Sequence, residues 1–309
     1  MKVLVTGGAG FIGSAIIPEL QKQNHEIFVV DDLSFGNRKF INIPDSHFFQ
    51  LSILEKQKLK DTINTISPDY VIHLAAIHFI PYCNEHPFLS ADINITGTLN
   101  LLDALENCNS IKKILFASTA AVYPITEAAM PETLPPGASD IYGLSKVAGE
   151  HLCNEFYLKT NIPTVICRFF NAFGLNETNP HLIPEIQRQV NSGNRKIKLG
   201  NLAPKRDYIH TTDMARAVTM LTQKFNNGID TFNIARGIEY SVTEIVEAFE
   251  KNLGEKIQIE TDPARVRKTD RLHLLADISK LKKYTGWEPL MSLEEGIKEL
   301  LVKENNFKI

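Results

Sequence analysis

Two groups of residues in the chain have the types and spacing that chemistry needs. Gly7-x-x-Gly10-x-x-Gly13 follows the apolar run Lys2-Val-Leu-Val-Thr6, and Tyr142-Gly-Leu-Ser-Lys146 lies well downstream. A glycine-rich turn between a strand and a helix lets the backbone approach a pyrophosphate. The helix N-terminus adds free N–H groups and a partial positive charge. A tyrosine and a lysine four residues apart share one helical face. A free phenol, with a pKa of about 10, is a poor base at neutral pH and needs cationic neighbours. An ammonium one turn away and the positive charge of an oxidised nicotinamide both favour the phenolate. Together the two groups point to an enzyme in which a tyrosine moves the proton and a nicotinamide cofactor moves the hydride.

Neighbouring residues sharpen this reading. Asp31 ends the second predicted strand, eighteen positions after Gly13. A carboxylate there binds an adenosine ribose and repels a 2′-phosphate, which favours NAD over NADP. Asp32 beside it suits a turn or helix cap. By itself a Tyr-x-x-x-Lys pair is often only surface decoration of a helix. Ser118-Thr119, closing an apolar strand, lifts it above that by setting a hydroxyl at the catalytic edge of the sheet.

The elements that must hold these residues alternate. Strands are predicted at 2–6, 26–30, 47–51, 70–74, 114–118 and 164–169, and helices near 12–23, 54–66, 90–107 and 141–159. The strands are short, nearly unbroken apolar runs, as expected where both faces are covered. The alternation predicts an α/β fold with a doubly wound parallel sheet. After residue 170 the rhythm loosens into loops at 176–180 and 200–204, a strand at 231–235, and helices near 181–192, 211–225 and 242–253. This reads as a smaller α+β region capping the carboxyl edge of the sheet, where doubly wound proteins bind ligands. We therefore expect a dinucleotide-binding domain over 1–170 and a substrate-binding region over 171–309, with segments near 207–235 able to pack back on the first.

A chain of 309 residues can bury a full core as one large domain or two smaller ones. With 43% apolar and 22% charged residues it reads as an ordinary soluble globule. Its net charge of −3 provides no general attraction to nucleic acid or a membrane surface. Cys83, Cys108, Cys153 and Cys167 lack paired spacing, so neither a disulfide framework nor a metal site is expected. They fit reduced core thiols of a cytoplasmic protein. Met1-Lys2 leads directly into the first strand, which argues against a signal peptide. No apolar run approaches the ~18–20 residues that cross a bilayer.

Over nearly its whole length the chain resembles the extended short-chain dehydrogenase/reductases, specifically the NAD-dependent nucleotide-sugar epimerases and dehydratases. Besides the glycine turn and Tyr142–Lys146, the matching stretches are Asp31-Asp-Leu-Ser-Phe-Gly36, His73-Leu-Ala-Ala76, Asn94-Ile-Thr-Gly-Thr98, Ser118-Thr-Ala-Ala-Val-Tyr123, Arg168-Phe-Phe-Asn171, Arg206-Asp-Tyr-Ile-His210 and Ala276-Asp-Ile-Ser-Lys280. The resemblance implies a Rossmann domain, bound NAD, a nucleotide-diphosphate sugar (a UDP-sugar) as substrate, and a homodimer built on the helices near 90–107 and 141–159. By position it implies that Phe11, Ile12, Asp31, Asp32, Ser34, Ala75, Asn94, Tyr142 and Lys146 join the glycine turn in contacting NAD. It makes Thr119, Tyr142 and Lys146 catalytic. Asn171, Leu182 and Pro184 correspond to its sugar-nucleotide site. Arg206 and Arg267 correspond to the arginines that clamp the diphosphate, and Asp270 of Arg267-Lys-Thr-Asp270 to an aspartate that holds a ribose. Two guanidinium forks suit a pyrophosphate better than lysines do. The stretch with Arg265, Arg267, Lys268 and Arg271 also reads as a solvated basic loop.

Departures from the pattern are informative. Ser52 stands where an adenine-binding Asp is usual, and Pro124 replaces a Gly. His78 takes a position where some galactose-type epimerases carry Lys, so it either lines the sugar pocket or packs its loop. The dehydratases usually carry Asp-Glu directly after the catalytic Thr, whereas Thr119 is followed by Ala120-Ala121. Methyl groups transfer no protons. Dehydration is therefore disfavoured and epimerisation at C4 of a UDP-hexose through a 4-keto intermediate is preferred. A dehydratase or reductase of the same family, or a non-catalytic NAD-binding protein, are the alternatives, the last opposed by the intact Thr119, Tyr142 and Lys146. Leu274 aligns with a residue bordering the sugar. On that basis UDP-glucose and UDP-galactose rank first, their N-acetyl forms second and UDP-glucuronate third, with His78 available to supply a partial charge.

Overall fold

The structure, a computed structural model, describes residues 1–263 and 271–305, the last three by backbone alone. The first half runs β1 (Lys2–Thr6), α1 (Phe11–Lys22), β2 (Glu26–Asp31), β3 (Phe48–Gln50), α2 (Lys56–Ile66), β4 (Tyr70–His73), α3 (Ile80–Glu85), α4 (Pro87–Ala91), α5 (Gly97–Glu106), β5 (Lys113–Thr119), α6 (Ile141–Thr160) and β6 (Thr164–Phe169). The second half runs β7 (Asn171–Phe173), α7 (Leu182–Asn191), β8 (Lys196–Leu199), β9 (Lys205–His210), α8 (Thr211–Lys224), β10 (Ile229–Ile234), β11 (Glu239–Ser241), α9 (Val242–Leu253), β12 (Gln258–Thr261), α10 (Ser279–Thr285) and α11 (Leu293–Asn305).

Seven strands pair in the order β10-β6-β5-β4-β1-β2-β3, every pair parallel. Alternate residues face opposite layers, as the strand period requires. Val3 and Val5 join the core that includes Ile16 and Leu20 of α1 and Val218 and Leu221 of α8. Leu4 joins the opposite core with Leu59 and Ile63 of α2, Leu101 of α5 and Phe156 of α6. This is a Rossmann sheet covered on both faces. The chain runs outward in one direction from β1 and in the other from β4, so a crevice opens between their carboxyl ends.

The strand expected near 231–235 belongs to this sheet. It spans β10 and pairs with β6 from Ile229 opposite Thr164 to Ile234 opposite Phe169. Phe232 and Ile234 are fully buried there, so apolar burial draws the segment onto the sheet edge. The smaller region carries its own core around Ile186, Ile197, Ile245, Phe249 and Ile297. It also carries a three-stranded sheet, β11-β9-β7, whose neighbouring strands hold Arg206 and Asn171.

The helix expected over 90–107 is interrupted. A π-turn at Asp92–Thr96 separates α4 from α5, and the Thr98 hydroxyl donates to the Asn94 carbonyl at 2.7 Å. Such turns often sit at functional sites. Among the described residues no helix is long and apolar enough to cross a membrane, and no group of three or more His, Cys, Asp or Glu could hold a metal. All four cysteines are buried and unpaired.

Candidate active site

The glycine turn sits at the crevice between β1 and β4. Gly7 has φ +70°, and a Cβ there would lie 2.6 Å from the Ala75 nitrogen in the loop after β4. A Cβ on Gly13 would lie 2.5 Å from the Gly8 carbonyl, so only glycine lets α1 seat this closely. Gly10 begins α1 without a side-chain cap, which leaves first-turn N–H groups for a ligand. Asp31 does more than end β2. Its Oδ2 accepts from Ala9 N at 2.9 Å inside the glycine turn, and its Oδ1 accepts from Leu33 N at 2.8 Å. Burial pushes its carboxyl up, and these two bonds oppose that. Asp32 caps its own turn by accepting from Ser34 N at 2.9 Å.

The acid–base group lies at the carboxyl end of β5. Asp140 caps α6 by accepting from Gly143 N at 2.8 Å, which starts the helix just before Tyr142. The Tyr142 phenol sits beside the Thr119 hydroxyl in the cavity wall, and Thr119 Oγ1 accepts from Ala121 N at 3.2 Å. Lys146 is buried, donates to the Ala117 carbonyl at 2.8 Å and lies 4.9 Å from the Phe116 ring. Burial pushes its ammonium down to about 8. Burial also pushes the Tyr142 phenol well above its ordinary value, opposed by the Thr119 hydroxyl. The nearby lysine therefore does not by itself make Tyr142 a phenolate, because the same dry site disfavours both charges. Ser118 also lines the cavity, but its hydroxyl is engaged elsewhere. Its hydroxyl turns inward to Glu150 at 2.5 Å, leaving Thr119 as the hydroxyl at the strand end.

Asn94, expected to touch NAD, also holds neighbouring elements in place. It is 1% exposed and does not line the cavity. Its amide holds both backbone groups of Ile77, at 2.8 and 2.9 Å, and donates to Ser145 Oγ at 2.9 Å. Ser145 in turn donates to the Tyr142 carbonyl at 2.7 Å. The loop after β4 is thereby tied to the catalytic helix.

His73 ties β1 to the first turn of α5, with Thr6 Oγ1 at 2.7 Å from Nδ1 and Thr98 Oγ1 at 3.0 Å from Nε2. Burial, then the Lys146 charge, lowers its pKa from 6.5 to about 3. Between those values only the unfolded chain binds the proton, so this contribution to stability is complete above pH 6.5 and declines as pH falls toward 3. The urea midpoint is expected to drop more between pH 7.5 and 5 in the wild type than in His73→Gln. Parallel profiles for the two proteins would contradict this.

One cavity of about 1150 Å³ joins these parts. It runs from Gly7, Gly10, Phe11, Ile12 and Gly13 past Asp31, Asp32, Ser34 and Ala75 to Thr119, Tyr142 and Lys146. At its far end are Asn171, Leu182 and Arg206. Pro184 lies inside the first turn of α7 and does not line it. Arg267 and Asp270 fall outside the described residues. Arg271 adds a guanidinium to the cavity wall, which the reading of a solvated basic loop misses. It donates to the carbonyls of Tyr123 at 2.8 Å and Pro124 at 3.3 Å, while its own carbonyl accepts from Arg206 at 2.7 Å. No sequence signal separates Arg271 from its basic neighbours. His78 and Leu274 also line the cavity. Burial lowers His78 to about 4, which favours the neutral ring at neutral pH, so it offers an N–H dipole but no full positive charge.

A glycine turn at the switch point of a parallel sheet, joined by one cavity to a Thr–Tyr–Lys set, defines a dinucleotide-dependent enzyme of the short-chain dehydrogenase/reductase class. Residues 4–300 match the family model described as GDP-mannose 4,6 dehydratase. The chain belongs to this family of nucleotide-sugar epimerases and dehydratases. The UDP-glucose 4-epimerase of Bacillus subtilis is 32% identical over 322 residues, covering 96% of this chain and 94% of its own. The UDP-glucose 4-epimerase of Thermotoga maritima, solved with UDP-glucose, superposes with a TM-score of 0.91 at 28% identity, covering 100% of both chains. That of Thermus thermophilus, solved with NAD, gives 0.88 at 28% identity over 98% of both.

Proposed function

We propose that the protein is an NAD-dependent epimerase acting at C4 of a UDP-hexose, in the manner of its epimerase relatives. The observation that carries this is one cavity that brings Thr119, Tyr142 and Lys146 together with the glycine turn and Arg206, while Thr119 is followed by two alanines. The family model describes a dehydratase, but Ala120 and Ala121 cannot act as acid and base for loss of water.

The turn fits NAD. Its backbone approaches the cavity without side chains, its helix end is uncapped, and Asp31 closes the ribose end with a carboxylate. When bound, NAD supplies a reversible hydride acceptor and a positive charge beside the phenol. Tyr142 takes the proton of the 4-hydroxyl and returns it, Thr119 steadies the phenolate, and Lys146 fixes that end of the helix to β5. Arg206 and Arg271 hold the diphosphate, remote from C4, which leaves the sugar able to turn over. Residues 1–170, with α8 and β10 packed onto them, serve the dinucleotide, and the rest of 171–309 serves the nucleotide sugar. We also place the protein in the cytoplasm, which suits four unpaired thiols, as a homodimer through α5 and α6. Leu99 and Leu158 of those helices are 50% and 70% exposed, apolar surface that a second copy would cover.

Incubated with UDP-glucose and no added dinucleotide, the protein is expected to form UDP-galactose, identified by NMR. Loss of water from the sugar, or stoichiometric consumption of a nicotinamide, would assign it to the dehydratase or reductase reaction instead.

A further inference from the structure

The segment before α7 reaches across the dinucleotide cleft and is bonded to α1 and to two loops of the Rossmann sheet. Asn176 Nδ2 donates to Ser14 Oγ at 3.2 Å, Thr178 Oγ1 donates to the Phe35 carbonyl at 3.1 Å, and Asn179 Nδ2 meets His78 Nε2 at 3.2 Å. The last contact fixes a tautomer. An amide nitrogen only donates, so Nε2 of His78 must accept and the ring proton sits on Nδ1. His78 is neutral at physiological pH and lines the cavity. Its Nδ1 has no hydrogen-bond partner among the described residues, yet it is not sealed from solvent.

The position of this donor is set from the other side as well. Ile77, the preceding residue, is held at both backbone groups by Asn94, and Asn94 is tied through Ser145 to the Tyr142 carbonyl. The imidazole is further flanked by the His181 ring, 6.0 Å away between centroids. A preorganised, uncharged N–H thus faces the cavity on a loop clamped to the catalytic helix.

We propose that His78 is a specificity-determining substrate contact whose Nδ1–H donates to a neutral oxygen of the hexose. This rests on the UDP-hexose reading above. An uncharged donor suits a hydroxyl, whereas a uronate carboxylate would leave its charge without a counter-charge at this residue. One such bond corresponds to roughly three- to tenfold in affinity.

Calorimetric titration of the NAD-loaded protein with UDP-glucose, UDP-glucuronate and UDP tests this in the wild type, His78→Gln and His78→Asn. Nδ1 and an asparagine amide nitrogen are both bonded to Cγ, so Asn can place a donor where Nδ1 stands. The Gln amide lies near the place of Nε2 and keeps the Asn179 contact while losing the donor. We expect His78→Gln to weaken UDP-glucose roughly three- to tenfold with UDP affinity and NAD content unchanged, and His78→Asn to recover most of the loss. Equal weakening of UDP and UDP-glucose, no change in His78→Gln, or a His78→Asn weaker than His78→Gln would overturn the proposal. Tighter binding of UDP-glucuronate than of UDP-glucose, lost in His78→Gln, would overturn the choice of a neutral oxygen. Wild-type turnover of UDP-glucose is followed in the same preparation. Absent turnover with this affinity pattern intact would refute the C4-epimerase reading and leave the His78 contact standing.

Discussion

Tyr142→Phe is expected to lower kcat by about 10²–10⁴-fold while dinucleotide content and UDP affinity stay at wild-type values. The phenol lines the same cavity wall as the Thr119 hydroxyl and Lys146, where a C4 hydroxyl would meet it. The substitution removes only the oxygen. The ring stays half-buried in the same wall, Thr119 keeps its bond from Ala121 N, and Ser145 still donates to the residue 142 carbonyl. Steady-state turnover, with thermal unfolding and chromatography of the released dinucleotide, separates loss of chemistry from loss of fold. Retention of a tenth or more of wild-type turnover would mean that another group moves the proton.

The largest loss of stability is expected from Arg168→Ala. Arg168 and Glu150 are 4% and 6% exposed and pair in two bonds, Nε to Oε1 at 2.9 Å and Nη2 to Oε2 at 2.7 Å. The Ser118 hydroxyl completes the site at Oε1, and the Tyr123 ring lies 4.6 Å from the guanidinium. These four residues join β5, the turn after it, β6 and α6 beneath the catalytic end of the sheet. Removing the arginine leaves a carboxylate buried without its counter-charge, a loss of about 3–5 kcal/mol. For a chain of this length the melting temperature should fall by roughly 5–10 °C. A double variant, Arg168→Met with Glu150→Leu, removes both charges and should recover much of the loss. A melting temperature within a degree of wild type for Arg168→Ala alone would contradict this account.

How much of this the sequence discloses depends on the range of the interactions. Unbroken apolar runs identify β1, β2, β4, β5 and β6 to within a residue or two, because strands buried on both faces leave little choice of residue. The glycine turn and Tyr142–Lys146 are local spacings and are legible for the same reason. Strands β7 and β11 are three residues long, the alternation of β8 runs for only four, β12 is mostly exposed, and β9 is rich in charged and polar residues, so no long apolar run marks them. Helix α11 carries a readable signal, since Ser292 and Glu295 form a reciprocal cap, but a reading led by catalytic motifs passes it by.

The site's misreadings share one cause: spacing shows which residues are near in the chain but not where their hydrogen bonds go. Asn94 matches a family position, but spacing does not show that its amide also holds Ile77 and Ser145. Ser118 adjoins Thr119 and faces the opposite layer, as alternation along a strand demands. In the sequence Arg271 is indistinguishable from Arg265, Arg267 and Lys268, whereas in the structure the Tyr123 and Pro124 carbonyls hold it. The neutrality of His78 depends on burial by a segment about 100 residues away, since Asn179 caps its ring.

The central claim is that a proton leaves the 4-hydroxyl to Tyr142 while the hydrogen on C4 departs and returns within one closed site. UDP-glucose carrying deuterium at C4, incubated in ordinary water without added dinucleotide, tests this most directly. The account predicts UDP-galactose with the deuterium still on C4, as read by NMR and mass spectrometry. Product whose C4 deuterium has been replaced by solvent hydrogen would contradict it.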